Sequence, residues 1–362
     1  TMMRTLVAAL LATAVLVLVP TVVAAEAEDS NSPYSQPYPK QFDASDLNPQ
    51  SSIRVDGNRF VDEHGETFVF RGVSIADPDK LLRDGQWDQR IFTAVREWGA
   101  NVVRLPVHPV SWRHHGRDEY LALIDDAVRW CNELDMYVIV DWHSIGFLPT
   151  ELYQHDMYVT TRQETLGFWR DVAFRYQGVS TIAVYELFNE PTTQGETLGR
   201  RDWNEWKEFN EYLIDMIYAR DKDVIPLVAG FNWAYDLRPV RDNPVDRAGI
   251  AYASHPYPQK VEPDVPSKEN FFAAWEADWG FVADTYPMIL TEIGWVREDG
   301  YGAHIPVIND GSYGPMIVEY MQSKGISWTA WVFDTQWSPR LIEDWEFTPS
   351  KQGEFFKKTM SQ

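Results

Sequence analysis

Cysteine is nearly absent from this chain. Cys131 stands alone among 362 residues, so no disulfide can form within the chain, and the fold depends on a hydrophobic core. Positive charge is also scarce: 32 Lys and Arg face 54 Asp and Glu, for a net charge of −22 at neutral pH. That balance argues against nucleic acid and anionic membrane surfaces as partners and leaves a neutral substrate unaffected. No glycine-rich phosphate turn follows the first apolar run, which counts against a nucleotide-binding open sheet. His108, His114, His115 and His143 are spread without the spacing of a zinc motif and without an H-x-H pair on the first strand. No metal and no cofactor are therefore expected.

Long uninterrupted apolar sequence occurs only at the N-terminus. Arg4 precedes the run from Leu6 to Val19, Pro20 breaks it, and the small residues from Val22 to Ala27 follow. This three-part form reads as a secretory signal peptide over residues 1–27, cut after Ala24, Ala25 or Ala27, so a secreted, extracellular or periplasmic protein is expected. Left uncut, the segment is just long enough to anchor the chain in a membrane. Residues 28–50 are polar and punctuated by Pro37, Pro39 and Pro49, and read as a disordered linker. Residues 51–362 then form one catalytic-sized domain, expected to be a monomer.

What is abundant is apolar and aromatic sequence, 44% and 14% of the chain, with 16 tryptophans. Ile53–Val61 and Glu66–Phe70 alternate apolar and polar residues around Asp56-Gly57 and His64-Gly65, the pattern of short hairpins closing one end of a domain. Eight apolar runs follow: Phe68–Ile75, Asn101–Val107, Met136–His143, Thr181–Glu190, Val224–Ala229, Ile250–Tyr257, Met288–Trp295 and Ile326–Asp334. Helical periodicity separates most of them, at Gln89–Trp98, Tyr120–Leu134, Arg162–Tyr176, Asp202–Ala219, Phe271–Thr285 and Tyr313–Ser323, and Lys351–Met360 closes the chain. Strands buried on both faces and joined by helices imply a parallel sheet. Eight such units favour a closed (β/α)8 TIM barrel with an N-terminal β-hairpin over its bottom.

Polar groups recur where these runs stop: Arg104, Asp141 and His143, Asn189 and Glu190, His255 and Tyr257, Glu292, Trp331 and Asp334. One such residue alone reads as a helix cap or a solvated side chain. Six strand ends doing so, all converging on one barrel face, read as an active site. Glu190 and Glu292 supply the two carboxylates that cleavage of a glycosidic bond requires, one to protonate the leaving oxygen and one to meet the developing sugar cation. Arg104 and the Tyr257 hydroxyl are suited to keeping Glu292 ionised. Glu186 and Asp141 read as buried braces. Trp112, Tyr158, Trp233, Tyr235, Trp295 and Trp337, in or beside strand-end loops, are each either a sugar platform or core.

The motifs Phe70-Arg-Gly-Val73, Asn101 to Pro106, Val140-Asp-Trp-His143, Phe188-Asn-Glu-Pro191, His255-Pro-Tyr257, Leu290 to Gly294 and Trp328-Thr-Ala-Trp331, in this order, resemble glycoside hydrolase family 5, the cellulase family of retaining barrel glycosidases. The resemblance covers nearly all of residues 53–362. It implies Glu190 as acid/base, Glu292 as nucleophile, Asn189 as partner of the sugar 2-hydroxyl, His143 and His255 as hydroxyl-contacting or network histidines, and Trp331 as the floor beneath the sugar being cleaved. It further implies a polysaccharide or oligosaccharide substrate, internal β-1,4-glucosidic bonds first, with mannan, xyloglucan or other β-glucans as alternatives. A non-catalytic, membrane-tethered carbohydrate-binding barrel is the rival from another class; it would be expected to lack one of Glu190, Glu292 or Asn189.

Overall fold

The computed structural model describes residues 36–261, 263, 265–295 and 313–362; the expected signal peptide and the first part of the expected linker lie outside them. Eight parallel strands close into a barrel: β1 (Arg71–Ile75), β2 (Val102–Val107), β3 (Tyr137–Trp142), β4 (Ile182–Glu186), β5 (Ile225–Ala229), β6 (Ala251–Ala253), β7 (Met288–Ile293) and β8 (Ser327–Phe333). Strand β2 is buried along its whole length, as a strand covered on both faces must be. The first two strands approach so closely at Gly72 that a Cβ there would lie 1.9 Å from the Val102 carbonyl oxygen. A side chain cannot be accommodated at that position.

Among the described residues, seven helices of nine or more residues surround the barrel: α1 (Gln89–Glu97), α2 (Arg117–Glu133), α3 (Arg162–Arg175), α4 (Trp203–Tyr218), α5 (Lys268–Asp278), α6 (Tyr313–Lys324) and α7 (Lys351–Met360). Side chains of Asp88, Thr161, Asp202, Ser267 and Ser350 accept backbone N–H groups at the starts of α1, α3, α4, α5 and α7, which is why these helices begin where they do. Between β5 and β6 there is no full helix, only short turns at Phe231–Ala234 and Arg238–Arg241. The N-terminal hairpin forms a three-stranded antiparallel sheet, Arg54–Asp56, Arg59–Val61 and Thr67–Phe68. Ile53, Phe60 and Phe70 join Tyr137, Ile139, Ala183 and Ile289 in one apolar cluster beneath the strands, so the sheet plugs the barrel floor as expected.

Two expectations are corrected. The stretch read as disordered linker is an ordered strap from Gln36 onward: Tyr38 stacks on Phe174 at 4.2 Å, Phe42 is buried, and its N–H donates to the Arg175 carbonyl at 2.8 Å. Arg170 and Arg175 donate to the carbonyls of Gln36 and Lys40, and Asn132 accepts from the Asn48 N–H at 2.7 Å. A polar, proline-rich composition hid two aromatic anchors and the side chains that satisfy its backbone. Second, the fourth strand does not run on to Glu190. It stops at Glu186, and Glu190–Pro191 pairs instead with Ile145–Phe147, which also pairs with Leu152–Tyr153.

Cys131, on α2, is fully buried, and burial pushes its thiol above the usual range. Across the seam between β8 and β1, Asp334 accepts from the buried Lys80 ammonium at 3.0 Å. Lys80 also reaches Asp84 at 2.6 Å.

Candidate active site

Arg104 lies midway along its strand, and the other residues expected at the site lie at or just beyond the C-terminal ends of the barrel strands. Arg104, in β2, has no solvent exposure and is the hub. It donates through Nε and Nη2 to Glu186 at 2.7 and 3.1 Å, through Nη2 to Asn189 Oδ1 at 2.7 Å, and through Nη1 to Glu292 Oε1 at 3.1 Å and Ser74 at 3.3 Å. Asp141 lies 3.1 Å from Nη2. One guanidinium therefore fixes the positions of β4, the Asn189-Glu190 corner and β7 relative to one another. Glu190 is seated by its own backbone, whose N–H donates to the Ser144 carbonyl at 3.1 Å.

Glu190 and Glu292 face one another with His255 between. One oxygen of each and one ring nitrogen all lie within 4.8 Å of one another. Among the described residues these three are also the donors close enough to gather round a cation, although Arg104 already supplies positive charge to Glu292. His255 Nδ1 is 2.9 Å from Glu190 Oε1, and Nε2 is 2.8 Å from the Thr291 hydroxyl, which donates to Glu186 at 2.8 Å. Tyr257 donates to Glu292 Oε2 at 2.8 Å. His255 and Tyr257 lie beyond β6, which is shorter than expected. The His255 N–H is held by the Ala234 carbonyl at 3.2 Å, and the Tyr257 N–H by the His255 carbonyl at 3.0 Å.

The charge balance at Glu292 has opposing parts. Arg104 and Tyr257 do hold Glu292 as foreseen, but burial outweighs them and, with the nearby Glu190 charge, raises the Glu292 carboxyl above the usual range even against the pull of His255. Burial alone would strip His255 of its extra proton. The charge of Glu292 and bonds to Glu186 and Glu190 overcome this and push it up to about 9. Glu186, despite burial, is held at about 2 by Arg104 and His255. His143, lowered well below its ordinary value by burial and by His108 and Arg104, is neutral. Its Nδ1 lies 2.6 Å from Asp141, which is therefore the brace it was expected to be. Asn189 Nδ2 is buried with no protein partner among the described residues, a donor open to a ligand hydroxyl.

Aromatic rings form one wall. Trp331 lies parallel to His143 (5.3 Å, 1°) and nearly parallel to Trp337 (5.9 Å, 13°), while Arg104 sits 5.9 Å above its ring. Asp334, after accepting from Lys80, also accepts the N–H groups of Gln336 and Trp337, so the ion pair at the barrel seam sets the position of Trp337. On the opposite side Trp233 projects from a turn in which Asn232, Trp233 and Ala234 all have positive φ, at 58°, 55° and 60°. Its indole donates to Gln154 at 2.6 Å, and Lys260 lies 4.6 Å over its ring while bonding the Asn232 carbonyl at 3.0 Å. Of the six open aromatics, Tyr158, Trp233 and Trp337 border the site. Trp112 packs on Phe168, Tyr235 bonds Asp278, and Trp295 packs on Phe355.

Thr291 was not foreseen, because a residue beside Glu292 on a regular strand would face the other way. The register of β7 against β8 shifts between Leu290 and Ile293, and this irregularity lets both side chains face inward. Lys80, Gln154 and Lys260 carry no signal in the sequence alone; only the fold brings them to the site.

Residues 61–336 match the cellulase family, glycosyl hydrolase family 5. The chain belongs to that family. Among solved structures, a β-glucanase from Saccharophagus degradans in complex with cellotetraose is 63% identical, with a TM-score of 0.89 over 91% of this chain and 98% of that one. The catalytic domain of an endoglucanase from Thermobifida fusca shares the fold at 22% identity, with a TM-score of 0.66 over 86% of this chain and 97% of that one. Among curated sequences, an endoglucanase from Clostridium saccharobutylicum is 25% identical over 285 residues, 77% of this chain and 56% of the relative. An endoglucanase A from Butyrivibrio fibrisolvens is 27% identical over 267 residues, 69% of this chain and 53% of the relative. The chain thus spans about half the length of the curated family 5 relatives it matches.

Proposed function

We propose that this family 5 protein is an exported, retaining glycoside hydrolase that cleaves internal β-1,4-glucosidic bonds of cellulose or a related β-glucan. The observation that carries the reading is the approach of Glu190 and Glu292 oxygens to within 4.8 Å. This suits the spacing of about 5–5.5 Å between carboxyls in retaining enzymes rather than the ~6.5–9.5 Å that leaves room for a water in inverting ones. Glu292 attacks the anomeric carbon while Glu190 protonates the departing oxygen, and the glycosyl ester is then hydrolysed by water with Glu190 as base. Asn189 Nδ2, buried and without a protein partner among the described residues, supports a bond to the 2-hydroxyl of the reacting sugar, and the Trp331 ring beside His143 supports a role in carrying the sugar's apolar face. The 63% identical β-glucanase with bound cellotetraose supports glucan as substrate, and the secretory form of the N-terminus supports export.

The test is a reducing-sugar assay over soluble cellulose, mixed-linkage β-glucan, xyloglucan and mannan, using native protein and Glu292→Gln. Cleavage of a β-1,4-glucan that falls by roughly 10⁴-fold or more in the variant, with unchanged circular dichroism, is the expected result. Cleavage of mannan alone would move the substrate and keep the mechanism. Binding without cleavage of any polymer would replace the enzyme with a binding protein.

A further inference from the structure

We propose that Glu190 and His255 hold one exchangeable proton between them, and that Thr291 is the positioning residue that confines the exchange to the Nδ1 side of the ring. The inference rests on Glu190 being the acid/base of the proposed reaction. It goes beyond that role by naming where the proton resides between turnovers.

The hydrogen-bond directions leave one arrangement. Glu186, bonded through both oxygens to Arg104, is an ionised carboxylate and only accepts. Thr291 Oγ1 lies 2.8 Å from Glu186 Oε1 and 2.8 Å from His255 Nε2. A hydroxyl has a single hydrogen. Thr291 gives it to Glu186 and turns a lone pair toward His255, so Nε2 carries a hydrogen whatever the charge on the ring. The nitrogen that gains and loses a proton is therefore Nδ1, which faces Glu190 Oε1 at 2.9 Å. In one state Nδ1–H donates to a Glu190 carboxylate. In the other that N–H bond has broken, an O–H bond has formed on Glu190, and neutral imidazole accepts from the carboxylic acid. The +1 and −1 charges cancel in the transfer, and nothing else is consumed.

The charged surroundings set the resting side. Glu292 lies 3.8 Å from Nδ1 and Glu186 3.5 Å from Nε2. The Lys260 ammonium and the phenols of Tyr158 and Tyr257 also face the carboxylate pair, and Arg104 and Asp141 stand behind Glu186. Three carboxylates about one ring favour imidazolium, in accord with its value of about 9. A sugar filling the cleft expels water, and a neutral pair is favoured over an ion pair as the local dielectric falls. The proton then arrives on Glu190 when the leaving oxygen is in place. After it is delivered, the carboxylate takes a proton from the attacking water and the pair again holds one.

The test compares Thr291→Val with Thr291→Ser, reading kcat/KM against pH for a cello-oligosaccharide and for 2,4-dinitrophenyl β-cellobioside, whose leaving group needs no proton. For T291V the oligosaccharide value should fall roughly tenfold and the basic limb should move about one pH unit lower, as expected for losing one hydrogen bond to a charged group. The dinitrophenyl substrate should stay within about twofold, because general acid catalysis is not needed there, and T291S should recover the native profile. An unmoved basic limb, or equal losses on both substrates, overturns the proposal. Thr291→Ala replaces T291V if that variant fails to fold. Full oligosaccharide turnover by Glu190→Ala would remove the acid assignment itself. An inactive Glu190→Ala beside an unshifted T291V would remove the shared proton alone.

Discussion

A guanidinium with no access to water, as Arg104 has none, persists inside a barrel only while carboxylates and carbonyl oxygens take up its hydrogens. Asp141, Glu186, Asn189 and Glu292 do so, and the charges stabilise its protonated form still further. Arg104→Met should therefore cost about 3–5 kcal/mol, because it strands buried carboxylates rather than merely deleting a bond. A urea unfolding midpoint checks this, and glucan cleavage should be lost in the same variant. Lysine at 104 should recover little of either, since a point charge cannot serve Glu186 through two bonds and reach Glu292 as well. At this scale much of the site was legible in the sequence. A polar residue at the end of an apolar run is a visible signal, and Arg104, His143, Asn189, Glu190, His255, Tyr257, Glu292 and Trp331 all converge. Thr291 was hidden because strand alternation assigns it to the wrong face. The partners of Glu292 could be read from sequence, whereas the depth of burial that opposes them could not.

At the scale of elements, the turn carrying Trp233 stands out. Three successive residues other than glycine in the left-handed region cost on the order of 1–3 kcal/mol each, and such strain persists only where the surroundings enforce it. Here the Ala234 carbonyl holds His255, the Asn232 carbonyl holds Lys260, and Gln154 holds the indole. Asn232, whose side chain is exposed, is the position where the strain can be relieved without touching the ring. Asn232→Gly should raise stability by about 0.5–1 kcal/mol, read as a higher melting temperature, with glucan turnover unchanged. The strands, most helices and the floor hairpin were foreseen because apolar runs and caps are local signals. The small sheet that seats Glu190 was not, because the pairing of Glu190 with Ile145 joins residues far apart in the chain. The β6 run was read too long for a related reason: His255 and Tyr257 are placed by the neighbouring turn rather than by strand pairing.

Over the whole molecule, the barrel closes on itself through the pairing of β8 with β1, with the Lys80–Asp334 pair just beyond that seam, and the strap of residues 36–50 ties α2 and α3 from outside. Composition alone made that strap look unstructured, since two aromatics and a handful of backbone hydrogen bonds scarcely register in an average over polar residues. The strap also bears on the lone thiol. Cys131 sits beside Asn132, whose side chain accepts from the strap at Asn48 and donates to the Asn48 carbonyl at 3.1 Å. A thiol this deep reacts only when the helix that bears it lifts away. One cysteine per molecule makes each chemical modification a single, unambiguous event. An aromatic disulfide reagent should leave the native protein unlabelled over hours, label one thiol per chain in denaturant, and label faster once residues up to 50 are removed. The residue that cannot cross-link the fold thus serves as its built-in stopwatch, timing how often α2 comes undone.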